Sequence, residues 1–170
     1  TTAKKKTHPL KTIKILCRNK YFILITLAFA VIYTSLGLTG GSRIYYAKYV
    51  LGDEMLNSTM TMFNYIPTIL TIMLIPVFTK RFGKIKALFV GFLFYAAGLV
   101  LEIAGPVNLP MIYTGLVLQG IGHAALYSCL FAIVGDVVDY SEWKDGIREE
   151  GITYSVTSFG QKIGTGLGTA

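Results

Sequence analysis

Lys162 lies about eleven residues after Gly151 and eight before Ala170 in a run that holds no other charge. That is too deep for its ammonium to reach either membrane interface along its own stem. A lysine at the centre of a membrane helix costs roughly 2.5–3.5 kcal/mol even on the lenient insertion scale. It is therefore expected to face a protein interior or a water-filled cavity, as a ligand or charge partner. At helical spacing Gly160, Gly164 and Gly168 form one face, the small-xxx-small pattern that lets two backbones approach closely in lipid. Ser158, Lys162, Thr165 and Thr169 fall opposite, with Tyr154 at the edge. One face is expected to pack and the other to meet a polar solute.

Gln119, His123 and Tyr127 recur at i, i+4 and i+8 and make a continuous polar strip on another predicted helix. Amide, imidazole and phenol beside a ring plane suit a polyhydroxylated ligand, which needs hydrogen bonds for its hydroxyls and a flat surface for its C–H face. Interhelical hydrogen bonding without a ligand is the alternative. His123 is not expected to hold a metal, since no Cys, Asp or second His lies within helical reach. Thr61, Asn64, Thr68 and Thr71 share a face of the second apolar run. Asn64 is the solute-binding candidate there, and packing glue is the ordinary use of threonine in such helices. Arg43 could serve an acidic sugar or anchor its helix at the interface.

Between Asp136 and Glu150 the chain carries six acids and two bases, Lys144 and Arg148. An excess of acid at a cytoplasmic membrane edge makes sense if nearby bases pair with it. Lys80, Arg81 and Lys84 are expected to leave the membrane on the same side, and with Asp136, Asp139, Glu142, Arg148 and Glu150 they could form an ionic latch. A solvated segment is the alternative. No nucleophile–base pair, phosphate loop, paired-acid site or metal cluster is evident, so no enzyme activity is expected.

The elements that must position these residues are membrane helices. Hydrophobic residues make up 53% of the chain and charged ones 15%, against roughly 45–50% and 25% in soluble domains. No charge occurs between Lys20 and Arg43, between Glu54 and Lys80, or between Lys86 and Glu102. Apolar runs of about 18 or more residues read as spans. Expected spans cover about 21–39, 57–79, 87–104, 111–134 and 151–170, with a charged cytoplasmic segment at 135–150. Gly37, Gly40 and Gly41 are expected to permit a bend before Arg43, and Gly105, Pro106, Asn108 and Pro110 to form a tight outer turn. Pro67 and Pro76 are tolerable inside a membrane helix.

The formal charge of +7 does not indicate nucleic acid, because the bases are sorted by position. Thirteen of the sixteen Lys and Arg fall in 4–20, 80–86 and 144–148. That alternation is the positive-inside pattern, and it places the N-terminus in the cytoplasm and residues 1–20 in a basic lead-in. No secretory signal is evident. Cys17 and Cys129 fall in different settings, so no disulfide framework is expected. Thr1 in place of Met suggests a fragment.

The run from Gly135 through Asp136, Val137, Val138, Asp139, Tyr140, Ser141, Glu142 and Trp143 to Lys144 is followed by Gly146, Arg148, Glu150, Gly151, Tyr154, Ser155, Lys162 and Gly164. This pattern resembles the glycoside-pentoside-hexuronide:cation symporters, the family of the melibiose permease within the major facilitator superfamily. Residues 45–53 look like that family's sequence after helix seven, and Lys80-Arg81-Phe82-Gly83-Lys84 like its basic turn after helix eight. The resemblance implies helices seven to eleven of a twelve-helix, two-bundle transporter that exposes its site to one side at a time. It also implies Lys162 near the sugar and cation sites, Tyr127 as an aromatic at the sugar, and Asp136, Asp139, Arg148 and Glu150 at the cytoplasmic closure.

The expectation is an all-α membrane protein, a partial C-terminal six-helix bundle with five transmembrane helices, in the plasma (inner) membrane. It would form part of a secondary symporter moving a glycoside, pentoside or hexuronide with a cation. The partners would be sugar, cation, lipid bilayer, the absent first bundle and a final helix, with no nucleic acid. No cofactor is implied, and Na⁺ or H⁺ remain open as coupling ions. A lipid or drug cargo on the same fold, or a non-transporting receptor or scaffold, are the alternatives.

Overall fold

The computed structural model describes residues 19–145 and 150–169. Most of the basic lead-in with Cys17, Arg148 of the latch, and the side chains of Asp145 and Thr169 lie outside the described residues. The rest is helical: α1 (Lys20–Tyr49), α2 (Leu56–Phe82), α3 (Lys84–Ala104), α4 (Leu109–Asp145) and α5 (Glu150–Thr169). α1 to α4 are each long and apolar enough to cross a membrane. Their lipid-type surface is plain on α2, where Ile69, Leu70, Met73, Leu74 and Val77 are all exposed. A water-soluble monomer rarely shows an apolar strip of that extent.

Two helices run further than composition alone implies. α1 continues as one helix through Gly40 and Gly41 to Tyr49, past the expected end of the span at about residue 39. A helix in lipid keeps its backbone bonds because nothing else can satisfy them, and glycine does not overrule that. α4 likewise passes Val134 and continues to Asp145, so much of the acidic segment is helix. The reason lies in Val134, Val137, Val138 and Ser141, which are all buried and share one face at i, i+3, i+4 and i+7.

The chain divides into two compact units: residues 1–39 with 133–170, and residues 40–132. In the first, α1 starts at Asn19, whose side-chain oxygen accepts from the Tyr21 amide at 3.0 Å as an N-cap. The same amide donates through Nδ2 to Ser141 Oγ at 3.0 Å, near the end of α4. Tyr21 and Tyr140 meet edge to face beside it, ring centres 4.9 Å apart. α5 lies along α1. A β-carbon at Gly160 would sit 3.3 Å from Thr26 O, one at Gly164 would sit 2.5 Å from Ala30 O, and one at Gly168 would run into Thr34 O.

In the second unit, α3 and α4 touch through glycines seven residues apart on each helix. A β-carbon on Gly98 would collide with Gly115 O, and one on Gly115 would come within 2.7 Å of Gly98 O. Gly91 and Gly122 repeat the arrangement, with 3.2 and 2.6 Å to each other's carbonyl oxygens. α2 joins α4 through polar groups. Asn64 Nδ2 donates to Leu116 O at 3.1 Å, and the Thr68 hydroxyl lies 2.8 Å from Asn64 O and 3.0 Å from Gly120 O. Ala47, Met60, Ile112 and Leu116 close the core at one end, and Ile75, Ala87, Ala125 and Cys129 form a second cluster. Lys48 pairs with Glu54 across the α1–α2 turn at 2.5 Å. The α2–α3 turn needs Gly83, whose φ of 87° is strained for any residue with a β-carbon.

Candidate functional site

In the second unit the polar residues of α4 turn toward α3. Gln119 is fully buried, its Cγ close enough to Gly98 that a β-carbon there would stand 2.7 Å away. His123, 7% exposed, is flanked by two rings, Tyr95 with centroids 4.9 Å away and Tyr127 at 5.9 Å. Tyr127 is half-buried. Asn64 is buried and its amide nitrogen is committed to the Leu116 carbonyl. Glu102 joins this group from α3, because a β-carbon on Gly115 would stand 3.2 Å from its Cγ. Arg43, in the last part of α1, lies within electrostatic range of Glu102, Tyr65, Tyr95 and His123. The structure thus brings Gln119, His123 and Tyr127 together with Tyr95, Glu102 and Arg43.

In the first unit, α5 carries Tyr154, Ser158 and Lys162. The Lys162 and Tyr154 side chains are exposed and Ser158 is half-buried, while Gly160, Gly164 and Gly168 are buried against α1. Buried Thr153 and Thr157 extend that packed face towards the start of the helix. Tyr154 turns its hydroxyl towards Gly135 of α4. Asp136, Asp139, Glu142 and Glu150 are exposed at neighbouring ends of α4 and α5. In the other unit Lys80 and Arg81 are exposed at the end of α2, Arg81 lying over the Phe82 ring, and Lys84 Nζ donates to Ala132 O at 3.2 Å. Among the described residues no three of His, Cys, Asp and Glu converge on a metal position.

Glu102 is the side chain that reading the sequence passed over. It stood only as an interruption of an apolar run, although an acid there carries the same signal as Lys162: an ionisable group in a span needs a partner. The partners could not be found by spacing, since Arg43, Gln119 and His123 sit on two other helices.

The sequence profile of the family described as MFS/sugar transport protein matches residues 1–170. The chain belongs to that family. Among curated proteins similar to the chain, the isoprimeverose transporter of Lactiplantibacillus pentosus is 30% identical over 173 residues, covering 100% of this chain and 36% of the relative. A putative sulfoquinovose importer of Salmonella typhimurium is 32% identical over 95% of the chain and 35% of the relative. The glucuronide carrier protein homolog of Escherichia coli is 29% identical over 94% of the chain and 35% of the relative. The chain therefore spans about a third of the length of these relatives. No solved structure gives a significant match. The resemblance to the glycoside-pentoside-hexuronide:cation symporters agrees with this family of transporters, and the protein is a multi-pass membrane protein of the major facilitator type.

Proposed function

We propose that the protein moves a glycoside, pentoside or hexuronide across the plasma membrane together with a cation, by alternating access. The observation that carries this reading is the family match along the whole chain, joined to relatives named for isoprimeverose and glucuronide. On this reading Lys162, Tyr127, Tyr154 and Ser158 meet the solute or the ion, because their side chains are exposed or half-buried in their own units. Gln119, His123 and Asn64, which are buried, hold the wall that presents Tyr127. Asp136, Asp139, Glu142, Arg148 and Glu150 pair with Lys80, Arg81 and Lys84 when the cytoplasmic side closes. The N-terminal end of the chain faces the cytoplasm. The further partners are a first six-helix bundle and a final helix, which the greater length of the relatives supports.

The test is uptake by the full-length protein in sealed vesicles. A panel of labelled glycosides, pentosides and hexuronides is offered under an imposed Na⁺ or H⁺ gradient. Accumulation of one of these sugars that collapses when the gradient is dissipated is the expected result. Transport of a lipid or drug with no sugar uptake would overturn the cargo. Folded protein that moves nothing would make it a receptor or scaffold.

A further inference from the structure

Helix packing leaves four buried polar atoms incomplete at the α3–α4 contact. Glu102 Oε1, Oε1 and Nε2 of Gln119, and Nε2 of His123 have no hydrogen-bond partner among the described residues. Buried side-chain polar atoms are ordinarily paired, and in a membrane span no bulk water stands in. Four orphans on three neighbouring side chains therefore point to a guest or a change of state that pairs them together.

Their positions suit a chain of bonds. Gln119 and His123 are one helical turn apart on α4, which puts the amide and the imidazole side by side. Glu102 reaches the Gln119 amide from α3 without completing a bond of good geometry. The other titratable or charged groups facing this cluster are Arg43 and Tyr46 from α1 and Tyr95 from α3, and Tyr65 of α2 lies within electrostatic range of Arg43. Tyr127 flanks the imidazole from within α4.

The surroundings decide what the guest can be. A single β-carbon on Gly115 would already stand 3.2 Å from Glu102 Cγ, and one on Gly98 would stand 2.7 Å from Gln119 Cγ. A sugar or hydrated ion finds no space between backbones that close. A bare metal cation would leave the Gln119 N–H₂ donor unmatched. An anion would meet Glu102. A proton requires no space and changes only which oxygens donate.

We propose that Glu102, Gln119 and His123 form a proton-binding site within the α3–α4 contact. Glu102 takes one proton from hydronium, leaving water, and its new O–H donates to Gln119 Oε1. Gln119 Nε2 then donates to Nε2 of a neutral His123 whose proton is on Nδ1, and all four orphan atoms are paired. When Glu102 gives the proton back to water, the amide turns over so that Nε2 faces the carboxylate. The imidazole stays neutral: Nδ1 gives its proton to water as Nε2 takes one from water, and Nε2–H then donates to Gln119 Oε1. The site is independent of which solute the protein carries.

Infrared difference spectra between acidic and alkaline buffer, recorded on the full-length protein in lipid vesicles, read the proton directly. The wild type should show a carboxylic-acid carbonyl band that shifts in D₂O. E102Q should lose that band, and Q119L should displace it because the acid O–H loses its acceptor. Should E102Q fail to assemble, E102D should retain a band at a changed frequency. Spectra of E102Q or E102D superimposable on the wild type would overturn the site. Adding Na⁺ at constant pH should leave the band unchanged, and its loss would make the guest a metal ion instead of a proton.

Discussion

At the scale of single residues, Lys162 and Glu102 pose the same physical problem and the helices treat them differently. Glu102 lies in the last turn of an apolar span and Lys162 in the middle of α5, which reads as a span from its sequence, and an unpartnered charge inside a membrane is costly. Glu102 is drawn into a contact between helices and faces Arg43, whereas Lys162 stands exposed on the side of α5 away from its packed glycines. If Lys162 lies at the solute and ion site, its ammonium tunes the affinity of the neighbouring cation. K162A should then impair cation-driven accumulation in vesicles more than sugar exchange without a gradient. Equal loss of both would make the lysine a residue of general binding, and wild-type accumulation would remove it from the site. Lys162 was legible because a lone charge in an apolar run is visible in one dimension. The role of Gln119 was not, because its strip of i, i+4 partners says which face it occupies but not what that face meets.

At the scale of elements, glycine placement separates close contacts from open surface. Gly160, Gly164 and Gly168 of α5 could be read from their four-residue spacing. The pairing of Gly91 and Gly98 with Gly122 and Gly115 could not, since it depends on two antiparallel helices meeting in a register that neither sequence states. Periodicity is also a weak guide in lipid, where the packed face and the outward face are both apolar. The expected spans at 21–39 and 111–134 are shorter than α1 and α4 because charge marks the membrane boundary, while the helix continues past it. These contacts predict a contrast within α5. G164V would push a β-carbon to 2.5 Å from Ala30 O and 3.0 Å from Thr34 N, and should cost about 1–3 kcal/mol. Gly166 has nothing within 4 Å of such an atom, so G166A should be neutral or stabilise by up to about 1 kcal/mol. Thermal unfolding of the full-length protein in detergent reads both, and equal effects would show that α5 does not pack on α1 as described.

At the scale of the whole molecule, the placement of charge sets an expected order of crossings. The excess of Lys and Arg in 4–20, 80–86 and 144–148 predicts that these segments share the cytoplasmic side. Reporter fusions after Gly52 and after Lys84 should therefore report opposite sides. Agreement between the two would break the proposed order of crossings, because α2 lies between those positions. The apolar character of α1 to α4 was legible in composition, whereas α5, expected as a fifth span, is not among the described helices long and apolar enough to cross; the division into units was not legible, since its boundaries fall inside α1 and α4 where nothing in the sequence changes.

The bond between Asn19 and Ser141 links residues 122 positions apart. At ribosomal speeds of about 5–20 residues per second, the second partner emerges roughly 6–24 s after the first. Asn19 can cap its own helix at once through the Tyr21 amide, but its hold on α4 must wait. The groove of α1 that receives Gly160, Gly164 and Gly168 waits longer still, because its partner is the last helix described. α1 thus waits through the synthesis of α2, α3 and α4 with the face that receives α5 uncovered. Assembly of this unit finishes only after translation has passed α5.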